Sequence, residues 1–493
     1  MERNASNTYD VVSIGVGPSS LFALDELRDS VAHHGLTALC ITRGSVAEKG
    51  GFLNDCKSNY TPDIGFQLER FNWDYADVMR FLAHYYQTLE RHVEGELPFT
   101  NNNYDGVSVL YDRCQAADIK LVACQQAHVG TDRAKDMAIS IQDELQKAGV
   151  EFRYRTEVER FEKDADGYFK IETTNGVVFS RYLIAGPGRN GSQWLTEQAD
   201  ALGLPYSSNG LDLGIRIEGL SDWFDPITDL LYDPKLYFNT RLKGPGDWFD
   251  IVSRTFCTNP RGRIVADVCK KTGVKGVNGE ADMHEKTNRT NMAIVASVRH
   301  LGDVDYRAMG VDLAKRTLSG RNGRKYQRWE DFLAQRVTTR SGLDNNSVND
   351  GKNHGFRVPG NFHDGVYPWY VVEALKTTIE GLGKLSPAIV SPDLLMIGPE
   401  LKLYDNFFHR RESGFENAVM DGLFLVGDGS GATRAQTGAA YDGYMAACKI
   451  KEKEQLRTRD LRDLVSRDVL DNMLHMARLP GLKLDDVLRK RVA

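Results

Sequence analysis

The chain has little cysteine for its length. Seven residues of 493 (Cys40, Cys56, Cys114, Cys124, Cys257, Cys269 and Cys448) form no CxxC pair, which argues against a structural zinc and against a disulfide scaffold. No metal site is expected. No run of about eighteen apolar residues occurs, so a membrane-spanning helix is not expected either. Residues 1–8, MERNASNT, lack the apolar core of a signal peptide, and the setting read from these absences is a reducing cytoplasm. Positive charge is not in excess: 62 Lys and Arg against 68 Asp and Glu leave a net charge of −6, so the whole chain is no lure for nucleic acid or anionic membrane. What is present, 41% hydrophobic and 26% charged residues, marks an ordinary globular protein. The length suits about two to four domains.

The most informative stretch is Tyr9 to Leu27, YDVVSIGVGPSSLFALDEL. Val11, Val12 and Ile14 make a short β-branched run, Gly15, Gly17 and Pro18 follow, and Leu21, Phe22, Leu24 and Leu27 recur at helical spacing. This predicts strand, tight turn and helix, the entry to a dinucleotide-binding fold. Gly15 allows the turn, Gly17 allows close backbone approach to a pyrophosphate, and the helix start offers unpaired N–H groups and a positive dipole end. Ser20 stands where the fingerprint has its third glycine.

A second buried strand is read over 36–42. An acidic residue at its end would bind a ribose hydroxyl, but the chain has Thr42 and Arg43 there. The paired Gly50 and Gly51 in GGFLNDCKSNY would let the chain pass close to a phosphate or ring, or else mark a plain surface loop. Residues 74–92 read as a helix, and Thr131 or Asp132 is placed to cap another. His128, just before it, reads as a capping or packing residue.

From Glu151 to Ala185 a meander of short strands leads into Gly186-Pro-Gly-Arg-Asn-Gly191 and a helix over about 192–202. GPGRNG matches GxGxxG, yet no βαβ unit with a charged strand end follows, so no second nucleotide site for NAD(P) is inferred. Leu211 to Glu218 alternates like a strand crossing into another domain. Residues 219–335 mix strands with helices expected at about 303–318 and 325–335. Residues 338–365 are polar and read as a lid or a floppy excursion, and a helix follows over 367–383. Near the end GLFLVGDGSGATRAQTGAAYDGYMAA reads as a buried strand ending in Gly427-Asp428-Gly429, then an Ala-rich helix. A carboxylate there can hold a sugar-alcohol hydroxyl, and the helix start can stabilise a reduced, anionic ring system. The charged tail from Lys451 reads as a packed or partner-facing helix.

With GVGPSS, AGPGR and GLFLVGDGSG in this order, the chain resembles flavoproteins with two dinucleotide-binding domains. GGFLNDCKSN, HVGTD, LIAGPGRNGSQWL, LDLGIRIE, RTFCTNPRGRIV and VNGE narrow the resemblance to a family of uncharacterised FAD-dependent dehydrogenases, over about residues 9–448. The resemblance implies an α/β fold: a Rossmann-like FAD-binding domain of the glutathione-reductase type, an inserted α+β substrate or cap domain and a helical C-terminal tail. The corresponding spans are 1–215 and 386–450 for the FAD-binding domain, 216–385 for the cap and 451–493 for the tail.

It also implies non-covalent FAD, with Gly15, Gly17, Pro18, Ser19 and Ser20 at the pyrophosphate, Thr42 and Arg43 near the adenosine ribose, and the backbone of Val158 near adenine. Gly50, Gly51, Gly186 and Gly188 would line the cofactor's route. Gly427, Asp428, Gly431, Thr433 and Arg434 would hold the ribityl chain and flavin edge. Cys56 stands where the family usually has glycine. It has no second cysteine placed for a redox dithiol and reads as a small packed residue.

The function expected is a hydride-transferring FAD-dependent oxidoreductase acting between flavin N5 and a small or carrier-bound organic substrate, with Lys57, Asn59 and Arg254 as the groups near the ring. NAD(P)H, O2, a quinone or a protein each remain open as redox partner. The alternatives are a flavoprotein acting on nucleic acid, for which Arg316 to Arg328 is the one basic run, and a non-catalytic binding protein on the same fold.

Overall fold

Val11 and Val12 are fully buried because the first strand, Thr8–Ile14, lies inside a sheet. It pairs parallel with Ala38–Ile41 on one side and with Gly176–Ala185 on the other. Glu151–Arg153 extends the sheet beyond Ala38–Ile41, and Leu423–Leu425 joins the far end of Gly176–Ala185, both in parallel. The near end of that long strand carries an antiparallel meander, Phe169–Thr173 and Val158–Lys163. The computed structural model describes residues 3–45, 56–244, 248–268, 275–298, 304–317, 324–348, 357–365, 367–403, 406–411 and 415–478.

The leading helix, Pro18–His34, ends on Gly35 in the left-handed conformation and packs beside the closing helix, Gln436–Lys453. The two backbones run so close that a Cβ on Gly443 would lie 1.8 Å from the carbonyl oxygen of Ser19, which only glycine permits. An apolar layer of Leu21, Phe22, Phe81, Tyr85 and Tyr441 fills the space between these helices and Tyr75–His92.

A second sheet of eight strands takes, in spatial order, Arg357–Pro359, Arg324–Arg328, Leu395–Leu403, Leu211–Leu220, Arg289–Val298, Trp248–Asn259, Lys235–Lys243 and Lys120–Val122. Its neighbours are antiparallel except the first pair. Leu395–Leu403 carries this sheet past residue 385, and Lys120–Val122 joins it from the part of the chain that builds the first sheet. Trp369–Leu385 packs across one face, burying Phe238 and Ile251.

Leu211–Leu220 forms the alternating strand read from the sequence and is buried on both faces, where Asp212 pairs with Arg254 and Arg216 with Glu400. Residues 325–328 form a strand, not the start of a helix, since pairing with Leu395–Leu403 outweighs local preference. Within the polar stretch 338–365 the described residues include the helix Arg340–Asp344 and the strand Arg357–Pro359, and Asn346 donates to the Asp393 carbonyl at 2.8 Å.

The tail packs through the helices Leu461–Leu464 and Arg467–Ala477, which bury Met473, Leu474 and Met476. Arg459 anchors it, bonding Asp25 at 2.7 Å and the fully buried Glu26 at 2.8 Å on the leading helix.

Candidate functional site

Register brings the strand ends level. Ile14 pairs with Ile41 and Ala185, and Ala185 pairs with Leu425, so the three glycine-bearing turns leave neighbouring strands at one edge. Gly15 has φ +97°, and a Cβ on it would lie 2.4 Å from the carbonyl oxygen of Gly186. The Ser19 side chain sits between the other two turns: a Cβ on Gly186 would lie 2.7 Å from its Oγ, and one on Gly427 would lie 3.1 Å away. A Cβ on Gly429 would strike the Gly188 backbone at 2.6 Å. GPGRNG therefore belongs to the same edge as Gly15, not to a separate fold. Ser20, in place of the third glycine, is accommodated because its buried hydroxyl turns back to Ile14 O at 3.4 Å.

Two helices begin at this edge. The leading helix has Gly17 as its N-cap, Pro18 at its first position, no capping side chain and no acid in its first turn. The closing helix starts after Ala435, likewise uncapped and without an early acid. Both leave backbone donors and a positive dipole end facing outward.

The Gly427 turn is held by a pair that sequence reasoning missed. Asp442 accepts from Gly427 N at 2.7 Å and from Arg410 through both oxygens at 2.6 and 2.8 Å, and Arg410 also donates to Leu425 O. The available signal was a carboxylate inside an otherwise Gly- and Ala-rich helix. Asp428, the next residue, accepts from Thr433 Oγ1 at 3.0 Å. Burial pushes its carboxyl above the ordinary range, against the pull of Arg189, Thr433 and Arg434. The turn at Gly431 is stapled by Gln67, which donates to Gly431 O and Ala432 O, and by Asn209. The N–H of Arg434 reaches Gly65 O at 2.9 Å.

Thr42 and Arg43 follow the second strand. Thr42 is buried and accepts from Gly44 N, whereas Arg43 is half exposed with Glu157 at 3.9 Å. Val158 opens its strand with its side chain in the core against Val12 and Ile41. Gly50 and Gly51 lie outside the described residues.

Next to this edge, between the eight-stranded sheet and the strand Lys57–Tyr60, lies a cavity of about 570 Å³. It gathers Lys57, Asn59 and Arg254 from distant parts of the chain and adds Asp233, Lys235, Cys257 and Arg434. Lys57 and Asn59 sit on the strand Lys57–Tyr60, opposite His128 and Gln126. Lys57 donates to Thr258 O and lies 3.2 Å from Cys257 Sγ. Asn59 accepts from Gln126 at 2.6 Å, and Gln126 bonds both the N–H and the carbonyl of Asp233. Asp233 binds Lys235 at 2.7 Å and accepts from Thr258 N at 2.9 Å. Burial raises its carboxyl, but Lys235 and Lys57 outweigh that and hold it below the ordinary range.

A bulge between Thr255 and Thr258 turns Phe256 and Cys257 to the cavity. The fully buried Arg216 supports it, bonding Cys257 O, Asn259 and Asn291, with Glu400 at 3.3 Å. Among the described residues, the thiol at the cavity is Cys257. Cys56 is buried with φ +49°, which explains why glycine suits that position, and its thiol meets Gln436 at 3.4 Å. His128 is buried and stacks on Tyr232. At the ends of the basic run, Arg316 pairs with Asp312 and Arg328 with Asp331.

The residues present fit FAD. Three glycine turns converge where a Cβ would close the cradle, two uncapped helices begin there, and Asp428 stands beside them.

No family model matches the chain. An uncharacterized protein of Clostridium beijerinckii is 25% identical over 343 residues, which cover 67% of this chain. The match spans 63% of that relative's length. Among solved structures, NikD, an unusual amino acid oxidase essential for nikkomycin biosynthesis, aligns over 93% of this chain and 97% of its own, at 12% identity and a TM-score of 0.41. Glycine oxidase from Geobacillus kaustophilus aligns over 94% and 99%, at 11% identity and a TM-score of 0.37. The p-nitrophenol 4-monooxygenase PnpA of Pseudomonas putida aligns over 95% and 84%, at 13% identity and a TM-score of 0.36. At such scores the likeness carries no weight for fold or function. No helix among the described residues is long and apolar enough to cross a membrane.

Proposed function

We propose that this chain binds FAD without a covalent link and works as a flavin-dependent oxidoreductase on a small or carrier-bound organic substrate. One observation carries the reading: Gly15, Gly186 and Gly427 meet at adjoining strand ends, next to a cavity walled by Lys57, Arg254 and Arg434. The strand order, five parallel strands with an antiparallel meander on the fourth, supports a glutathione-reductase-type FAD domain, and the eight-stranded sheet is the substrate domain.

In this reading the N–H groups that open the leading helix hold the pyrophosphate, and Gly15, Gly17 and Pro18 let it approach. Thr42 and Arg43 meet the adenosine ribose, and the backbone of Val158 meets adenine. Asp428 accepts a ribityl hydroxyl while Thr433 fixes its orientation. Gly431, Arg434 and the start of the closing helix border the ring. When bound, FAD supplies a hydride acceptor or donor, and the protein supplies position and field. Lys57 keeps an ammonium at the cavity wall, steered by Thr258 O and Cys257, where it can hold a proton or stabilise negative charge. Asn59 and Arg254 orient what lies across from it.

The test is spectroscopic. Purified protein should show flavin absorbance and release FAD on denaturation. Anaerobic reduction followed by NAD(P)⁺, quinone or O2 would identify the redox partner. Protein that is colourless and takes up no FAD when reconstituted would overturn the proposal.

A further inference from the structure

We infer that Asn472, on the tail helix Arg467–Ala477, is a positioning residue for the cavity and acts on its Asn59 and Asp233 wall through Gln125 and Gln126. The inference rests on the reading above only in treating this cavity as the substrate site. Its first support is where the helix sits. Met473 and Leu474 enter the apolar core that holds the leading helix, while Met476 enters the core of the eight-stranded sheet. A single turn of helix thus touches both cores. His475 closes edge-on upon Tyr104, with 4.4 Å between ring centroids. Tyr104 opens the helix Tyr104–Ala116, which reaches the second core through Val107, Leu110 and Cys114. The Ser466 N–H, at the start of the tail helix, donates to Gln87 on Tyr75–His92 at 3.0 Å.

The second support is a run of side-chain amides from that helix to the cavity. The Gln125 amide donates to Asn472 Oδ1 at 2.6 Å, to the Asn101 carbonyl at 2.8 Å and to Tyr104 Oη at 3.1 Å. A carbonyl only accepts, so Gln125 turns its NH2 group that way and Asn472 meets it with an oxygen. The Asn101 side chain donates to Cys124 O at 2.8 Å and, more loosely, to Gln126 Oε1 at 3.4 Å. Gln126 Oε1 accepts from the N–H of Asp233 at 2.9 Å. Its amide nitrogen donates to Asn59 at 2.6 Å and to Asp233 O at 2.8 Å. Gln125, Gln126 and Asn101 are all buried. Neighbours on a strand face opposite ways, so Gln125 serves the tail and Gln126 the cavity wall.

The third support is the kind of bond. Each link in the run is neutral, with no charge for salt to screen. The tail's other hold, Arg459 on Asp25 and Glu26, is ionic. The two holds do different work: the ion pairs keep the tail attached, and the amides set where the wall stands.

The experiment reads Cys124, which is buried with its Sγ 3.8 Å from Asn59 Oδ1. Burial pushes this thiol up to about 12, so it is alkylated only as the wall opens. Iodoacetamide labelling of the full chain as purified is followed site by site by peptide mass mapping, with tryptic cleavage of the tail measured beside it. Asn472→Leu removes one hydrogen bond and should speed Cys124 labelling about three- to ten-fold, leaving Cys40, Cys114 and tail cleavage as in the wild type. Asn472→Asp keeps the accepting oxygen and should label like the wild type. Leu474→Ala loosens the whole helix, so Cys124 labelling and tail cleavage should rise together. Amide hydrogen exchange in Lys57–Tyr60 and Gln125–His128 should quicken with Asn472→Leu, while Ala38–Ile41 stays unchanged. Cys124 unmoved by Asn472→Leu, Asn472→Asp behaving as Asn472→Leu, or Cys40 and Cys114 rising in step with Cys124 would overturn the inference. FAD is assayed separately by release. Flavin present with labelling unmoved defeats this inference alone, and the expected labelling in protein that takes up no flavin defeats the cofactor reading alone.

Discussion

Replacing Asp442 with alanine tests whether the Gly427 turn is held from behind. The carboxylate accepts three hydrogen bonds, at 2.6, 2.7 and 2.8 Å, and the side chains of Asp442 and Arg410 are 0% and 4% exposed. Truncation leaves a guanidinium in the interior with Leu425 O and the rings of Phe71 and Phe415 as company, and strands the Gly427 N–H. Breaking a buried pair from one side costs about 3–5 kcal/mol, a large share of the roughly 5–15 kcal/mol that holds a domain folded. The decisive measurement is a double-mutant cycle by urea unfolding with Arg410→Met. That change should destabilise the wild type, yet raise the stability of the Asp442→Ala variant by removing the charge it stranded. Additive losses, or an Asp442→Ala effect under about 1 kcal/mol, would refute the reasoning, because a buried charge without its partner cannot be so cheap. Flavin retained per chain should fall with Asp442→Ala.

Gly15→Ala drives a Cβ to 2.4 Å from Gly186 O at a φ of +97°, so flavin per chain, read by absorbance, should drop about ten-fold or more. Asp428→Asn should weaken FAD by roughly ten-fold or more in a titration. Because burial raises the Asp428 carboxyl in the folded state, folding is penalised as pH rises through that raised value, so the apo variant should be the more stable protein at pH 7, with the gap closing below about pH 4. Asp25 is the opposite case: burial raises it, but His84, Arg459 and Arg28 outweigh burial and hold it well below the carboxylate range. Its stabilisation is present above about pH 4 and is lost as pH falls toward the folded value. Arg459→Leu should flatten that acid dependence in urea midpoints between pH 3 and 7 and expose residues 455–478 to proteolysis.

Much of the first sheet was legible because its signals are local. A β-branched run, a glycine turn and a helical stripe follow one another within Tyr9 to Leu27, and the same grammar recurs at Ala185 and Val426. The second sheet was harder to read because its charges look like a solvated face until their partners are known. Arg216 finds Glu400 across 184 residues, and Arg254 finds Asp212 across 42. Arg324–Arg328, RKYQR, has no apolar period at all and becomes a strand only through Leu395–Leu403. Cys56 is buried with its backbone in the left-handed region, which suits packing better than chemistry, whereas Cys257 reaches the cavity through a bulge that no local pattern announces.

The seam between the ribbon of Lys57–Tyr60 with Gln125–His128 and the eight-stranded sheet explains why Lys57 and Asn59 could be picked from sequence while their surroundings could not. Their strand is polar at every position on one face and must meet something equally polar. That counterpart is Asp233, Lys235 and Thr258, reached through Gln126, so the wall of the cavity is held by segments far apart in the chain and owned by none. An apolar seam would have been stabilised by area alone and would tolerate sliding. A hydrogen-bonded seam tolerates little, since each displaced partner leaves a buried donor or acceptor unmet at about 1–3 kcal/mol. Polar residues at this junction therefore fix the two-stranded ribbon against the eight-stranded sheet, and with it the separation between Lys57 on one wall and Arg254 on the other.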